Sequence, residues 1–308
     1  MLSDNGTPVD RCVGGDVSLT VSTLLCHRDT RMALACLGSL VRHSDVPVQI
    51  QIHDDGSLTQ ADVEALTQAL PVARVISRAE SDARMAELLA PFPRCREFRK
   101  AQVYGLKLFD AALMAPGGVL RFVDSDIYFL RAFTGLFSAD ADAACTFMAD
   151  RRNAYAFRPW HLIGGRVEVP VRLNCGLFEI SSEHYSLEAI EGLMDRYEAL
   201  FSSRYHWAEQ TSWAVLAMRA RGNLWSEDQV RVISADDRSF DGLVAAHVVT
   251  PARARLADLY GYDQAQTEPV VVEAHPLERL TSVSLLREQG MRRATRMRER
   301  WQLAGAPV

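Results

Sequence analysis

The run from Val119 to Leu130 constrains this chain more than any other stretch. A Pro116-Gly117-Gly118 turn precedes it, and Leu120, Phe122 and Val123 are apolar and β-prone. Asp124 and Asp126 then stand on either side of Ser125, and Ile127, Tyr128, Phe129 and Leu130 follow at once. A cheap reversal followed by an apolar run predicts a buried strand. Carboxylates in such surroundings are seldom left without a partner, and the natural partner of two is a divalent cation bound through oxygen. The alternative is a pair of exposed, turn-capping carboxylates, because Asp-X-Asp is a common pattern. Its position at the end of an apolar strand favours the cation.

The flanking sequence supplies the sheet. Residues 17–25 predict a first strand, 31–43 an amphipathic helix, and 46–52 a second strand with strict alternation. That strand runs into His53-Asp54-Asp55-Gly56-Ser57, a helix follows over 60–70, and 72–76 is a third strand. Strand and helix in alternation predict an α/β chain with a mostly parallel central sheet and flanking helices. Ligands in such sheets bind beyond the carboxyl ends of the strands, so the fold rule alone brings Asp54-Asp55 and Asp124-Asp126 toward one crevice.

Further along, 83–98 reads as helical with a break at Pro91-Phe92-Pro93, and 97–114 as one long helix carrying Arg99, Lys100 and Lys107. A strand over 143–149 leads to an irregular stretch, 150–170, rich in aromatics. A strand over 172–180 is interrupted by Asn174-Cys175-Gly176, and a glycine there predicts a bulge or a close approach. Helices are expected over 186–201 and 207–221, and strands over 230–233 and 243–249. A basic helical tail spans 276–302. No composition shift marks a boundary, so 1–275 is expected to be one catalytic domain and 276–308 its helical tail.

Composition excludes some functions. The formal net charge of −5 argues against a dedicated nucleic-acid binder. Six cysteines without a C-x-x-C pair give no zinc signature, and reduced thiols fit a cytoplasmic protein. The first fifteen residues are polar and look like a loose terminus, and 17–26 is too short and mixed to span a membrane. Arg287, Arg292, Arg293, Arg296, Arg298 and Arg300 could set the tail against the inner face of an anionic membrane. A solvated helix or a homo-oligomer contact is the alternative.

Taken in order, Asp54-Asp55-Gly56-Ser57, Asp124-Ser125-Asp126, Asn174-Cys175-Gly176, Glu209-Gln210 and His247 resemble the GT-A class of nucleotide-sugar glycosyltransferases over roughly 17–250. The first motif is similar to the family-2 enzymes and the later ones to family 8. The resemblance implies a Rossmann-like GT-A fold and transfer of a sugar from a nucleoside-diphosphate donor, UDP-linked, to a glycan, lipid-linked or small-molecule acceptor. It implies Mn2+ or Mg2+ held by Asp124, Asp126 and a late histidine, His247 or its rival His275. Asp54 and Asp55 would face the base and ribose, with Ser22, Thr23, His27 and Arg28 beneath the nucleotide and Ser125 beside the donor. Lys107 or Arg99 would reach a phosphate, and Asn174 and Gly176 would line the sugar site.

Glu209 and Gln210 would lie by the anomeric carbon in a retaining enzyme, and Glu209 would be the base in an inverting one. Each has a plainer alternative. Asp54 and Asp55 would form a loop turn, Lys107 and Arg99 a solvated helix face, and Glu209 a helix-start charge. His247 would then be a structural histidine. Glu209 stands where the family-8 pattern has Asp, and the Lys-Pro-Trp tail of that group is missing. Tyr155, Phe157, Trp160, His161, Tyr205 and Trp207 are candidates for stacking an acceptor sugar, or for the core. A sugar-phosphate nucleotidyltransferase and a non-catalytic sugar-nucleotide-binding protein are the competing functions. The first lacks its Gly-rich basic loop after strand one.

Overall fold

The computed structural model describes residues 18–138, 144–163, 167–198, 201, 205–250, 252–263 and 268–304. The expected loose terminus and Gly164-Gly165 fall outside them. Among the described residues, fifteen strands follow in chain order. They are β1 (Leu19–Leu25), β2 (Val48–Asp54), β3 (Ala73–Ile76), β4 (Val119–Val123), β5 (Ile127–Phe129), β6 (Phe133–Thr134), β7 (Cys145–Ala149), β8 (Glu168–Pro170) and β9 (Leu173–Ser181). The rest are β10 (Asn223–Trp225), β11 (Val230–Val232), β12 (Ala245–His247), β13 (Val270–Val271), β14 (Ala274–Pro276) and β15 (Arg279–Thr281).

The main sheet runs β3-β2-β1-β4-β9-β7-β11-β12-β5, with β10 beside β7 and β14 beside β10. β1 pairs parallel with β2 and with β4, and β7 pairs parallel with β10 and β11. The antiparallel insertion of β9 between β4 and β7 leaves those two parallel to each other. The ends of β1, β2, β4, β7, β11 and β12, and the start of β9, therefore share one edge. β5 follows β4 after three residues yet pairs with β12 at the other end of the strand path, so the sheet curls back on itself at Asp124–Asp126.

An aromatic ladder pins the register of the centre. Phe122 of β4 lies opposite Phe178 of β9, which lies opposite Phe147 of β7. The rings stack at 5.5 and 5.0 Å, and Trp213 closes on Phe178 at 4.6 Å. A one-residue slip would turn all three rings to the other face of the sheet. Gly117 and Gly118 both have positive φ, 69° and 74°, so the reversal before β4 uses the residues that tolerate it.

The single helix expected over 97–114 is two pieces. One ends at Ala101, and a π-helical turn, Leu106–Asp110, follows. Gly105 passes so close to Arg99 that a Cβ there would sit 2.5 Å from the Arg99 Cα, which a continuous helix could not accommodate. The C-terminal segment is stitched to the rest. β14 pairs with β10 across position 275, β15 pairs with β8, and the helix Ser282–Ala304 buries Leu285 in the core. Arg292 bonds to Glu288 and to the Asn153 carbonyl. No described helix is long and apolar enough to cross a membrane.

Candidate active site

The turn after β4 is held on two sides. The Asp124 N–H donates to the Gly176 carbonyl at 2.7 Å, and the Val248 N–H donates to the Asp126 carbonyl at 2.9 Å. β9 and β12 thus fix both carboxylates. His247 ends β12 opposite Ile127, which aims its ring at the same point. His247 Nε2 lies 3.0 Å from Asp126 Oδ1 and 3.7 Å from Asp124 Oδ2. Ligand atoms of these three residues all fall within 4.8 Å of one another, the one such His/Cys/Asp/Glu group among the described residues. His275 lies on exposed β14 and is not in it.

The other oxygen of each carboxylate is taken by a cation. Lys107 Nζ donates to Asp124 Oδ1 at 2.9 Å, and Arg253 donates to Asp126 Oδ2 at 3.1 Å and to Asp29 at 3.0 Å. Asp124 Oδ2, Asp126 Oδ1 and His247 Nε2 face a common point, the last two hydrogen-bonded to each other, and two carboxylates with an imidazole are a donor set that a divalent cation can take. Lys107 is no solvated helix residue. It is buried, with its ammonium 4.6 Å from the Phe122 ring centroid. Burial disfavours its charge, but Asp124, and Glu209 beyond it, raise its pKa above the ordinary lysine value. Burial likewise opposes the charge on Asp126, yet His247 and Arg253 hold its pKa down.

Arg253 is the residue that sequence reading missed. It stands in a single 3-10 turn, Ala252–Arg255, with Arg255, and no local pattern separates the two. Arg99, by contrast, is spent on structure: it binds both oxygens of buried Asp110, at 2.6 and 2.7 Å, and also Asp82. It does not turn toward the acidic edge.

β9 carries the predicted bulge. Phe147 faces Phe178 while the next residue, Met148, faces Asn174, so 175–177 leave the ladder with β7, while Leu177 still pairs with Val123 of β4. Asn174 Oδ1 accepts from the Gly176 N–H at 2.8 Å, and its amide donates to Asp150 at 3.0 Å. His247 packs on Gly176 so closely that a Cβ there would be 2.3 Å from its Cε1.

Below the bulge lies Glu209. The helix Tyr205–Ala220 already includes the two residues before the expected start, so Glu209 sits inside it rather than at its start. Both its oxygens are engaged: Trp213 Nε1 donates to one at 2.5 Å and the Cys175 thiol to the other at 3.1 Å. Burial raises the Glu209 pKa, with Lys107 opposing. The neighbouring Gln210 side chain donates to the Ala154 carbonyl at 3.0 Å.

The ends of β1 and β2 carry Asp54, Asp55 and His27. Asp54 Oδ1 accepts from the Gly56 N–H at 2.7 Å and Asp55 Oδ1 from the Ser57 N–H at 2.9 Å, so each uses that oxygen to form the loop. His27 Nδ1 lies 2.7 Å from Asp62, which also accepts from the Thr59 N–H in the capping box of the helix Gln60–Ala69. Ser22 and Thr23 lie inside β1, both buried, rather than at its end, which extends to Leu25. Ser125 is buried between the two acids. Of the aromatics, Tyr155 and Phe157 are core: the Tyr155 hydroxyl donates to the Pro170 carbonyl, and Phe157 meets Tyr197 edge-on. Trp207 packs partly buried against the same core. Trp160 is exposed, with His161 edge-on beside it. The Tyr205 side chain lies outside the described part.

The architecture matches solved structures. A galactosyltransferase, LgtC, solved with donor and acceptor sugar analogs, superposes with a TM-score of 0.51 at 13% identity, over 82% of this chain and 98% of that one. The apo-form glycosyltransferase GlyE of Streptococcus pneumoniae TIGR4 superposes with a TM-score of 0.53 at 15% identity, over 82% of this chain and 61% of that one. No protein-family model matches the sequence, and no curated protein sequence matches it. The shared architecture is the GT-A fold, Rossmann-like and curled about a mostly parallel sheet.

Proposed function

We propose that this GT-A chain is a metal-dependent glycosyltransferase that moves a sugar from a UDP-sugar to an acceptor hydroxyl, on a glycan, a lipid-linked sugar or a small molecule. The observation that carries the reading is the convergence of Asp124 Oδ2, Asp126 Oδ1 and His247 Nε2 at the edge where parallel strands end. The donor set of two carboxylates and an imidazole fits Mn2+, with Mg2+ the alternative. When bound, the cation supplies Lewis-acid neutralisation of the charge that grows on the departing diphosphate.

The chain's own residues do the rest. Lys107 and Arg253 carry fixed positive charge on either side of the ligand set, where a diphosphate would lie. The planar fork of Arg253 suits phosphate oxygens, and its hold on Asp126 is exchangeable because its side chain is a third exposed. Asn174, fixed by Gly176 and Asp150, is placed to bind donor hydroxyls beside the bulge. Asp54 and Asp55 would accept from base and ribose through the oxygens that the loop leaves. Gln210 lies deeper, next to Cys175, and marks the sugar end. Retention of configuration is favoured because Glu209, the carboxylate expected to act as base in an inverting reaction, has both oxygens hydrogen-bonded inside the protein. It is better suited to balancing Lys107 from below.

The test is release of UDP from a panel of UDP-sugars, with and without Mn2+. The wild-type chain should release UDP slowly without acceptor and only with metal, and Asp126→Ala should lose about 100-fold or more. A demand for a nucleoside triphosphate would replace this reading with a nucleotidyltransferase. Metal-dependent binding without release, with every acceptor tried, would replace it with a sugar-nucleotide-binding protein.

A further inference from the structure

At the opposite end of the strands from Asp124, where β10 begins, two helices and the C-terminal segment leave a groove of about 950 Å3. Its floor is apolar: Leu193, Val215, Met218 and Leu277, all half-buried, line it. Its rim is basic. Arg196 closes the helix Leu187–Arg196, and Arg219 and Arg221 end the helix Tyr205–Ala220 and its turn. Among the described residues, none of these three makes an ion pair with a carboxylate. Arg279 is paired, with Glu168 at 3.1 Å, and Glu168 is the one acid in the lining. Arg196 instead lies over the Tyr197 ring at 5.3 Å.

Arginine near a helix C-terminus is favourable in itself, since it answers the negative end of the helix dipole. That accounts for the charges but not for the open floor between them. Gly192 bears on the floor. It lies mid-helix and lines the groove, and a Cβ built on it would meet no atom within 4 Å. Glycine inside a helix is destabilising relative to alanine, and here no packing neighbour requires it.

We propose that this groove is a binding site for an anionic amphiphile with one hydrocarbon chain. The chain would lie along Leu193, Val215, Met218 and Leu277, and a phosphate or carboxylate head would sit between Arg219 and Arg221. The volume is that of a pocket for one small molecule, and buried hydrocarbon with a charge-assisted head contact is the pairing that such a lining rewards. The site is separate from the acidic edge and does not depend on the transferase reading.

The test is calorimetric titration of the full chain, in EDTA, with monododecyl phosphate below its micelle concentration. Dodecyl maltoside and inorganic phosphate form separate arms. The expected result is saturable one-site binding of dodecyl phosphate, with both control ligands about tenfold weaker or worse. Arg219→Ala/Arg221→Ala should raise the Kd by about tenfold or more. Gly192→Leu, which fills the floor and leaves every arginine in place, should abolish binding with the melting temperature unchanged or raised. Equal affinity for dodecyl maltoside, equal affinity for inorganic phosphate, or wild-type binding by Gly192→Leu would each overturn the assignment, as would no binding of dodecyl phosphate.

Discussion

A single methyl group at position 176 should disable the cation site. In Gly176→Ala the new Cβ would lie 2.3 Å from His247 Cε1 and 2.5 Å from Nδ1, where ordinary contact begins at 3.4 Å, so the ring must retreat by about 1 Å. The His247 backbone cannot move with it. β11 and β5 pair on either side, and the Ile233 N–H donates to the His247 carbonyl at 3.0 Å. The ring must therefore swing, carrying Nε2 away from its 3.0 Å approach to Asp126 Oδ1. Metal sites tolerate displacements of about 0.2 Å, and misplacing a ligand typically weakens affinity about 10- to 100-fold. The overpacking itself should cost about 1–3 kcal/mol of stability, which leaves the chain folded. Free Mn2+ measured by electron paramagnetic resonance during titration gives the affinity directly, and circular dichroism confirms the fold. Gly38→Ala is the control, because a Cβ there meets nothing within 4 Å. A folded Gly176→Ala chain that binds Mn2+ within about twofold of wild type would refute the claim that His247 is a ligand held by this packing.

Two further outcomes follow from buried charge. Lys107→Met leaves Asp124 and Glu209 without their shared cation, so denaturant titration in EDTA should report a loss of about 3 kcal/mol, and saturating Mn2+ should restore part of it; an equal loss in both conditions would contradict a cation bound at Asp124. His53 is buried and its pKa is lowered from 6.5 to about 4 by desolvation, so the unfolded chain takes up this proton first. Its contribution is intact above pH 6.5 and falls as pH drops toward 4, by about 3 kcal/mol in total; His53→Leu should flatten that slope in urea titrations across the same window.

What could be read from the residues follows a physical divide. The strand ending in Asp124-Ser125-Asp126 was legible because charges set against an apolar run are costly, and the Asn174-Gly176 bulge because glycine weakens a strand. The sheet edge that unites them with Asp54 and His247 follows from strand-helix alternation. Arg253 was not legible, because its partner Asp126 lies 127 positions away and a lone arginine carries no period. After Ala101 the chain folds back so that Gly105 passes close to Arg99, an approach that no apolar period announces. β6, β8, β13, β14 and β15 have two or three residues each, too few for alternation to register. The choice between His247 and His275 needed pairing, since both stand on short strands and only β12 runs beside β5.

The most direct test of the central claim is a crystal of the chain grown with Mn2+ and UDP, measured at the manganese absorption edge. The account predicts one anomalous peak per chain between Asp124 Oδ2, Asp126 Oδ1 and His247 Nε2, with the UDP phosphates against it and Arg253 turned from Asp126 toward them. A peak elsewhere, or UDP bound with no peak at these three side chains, would contradict it.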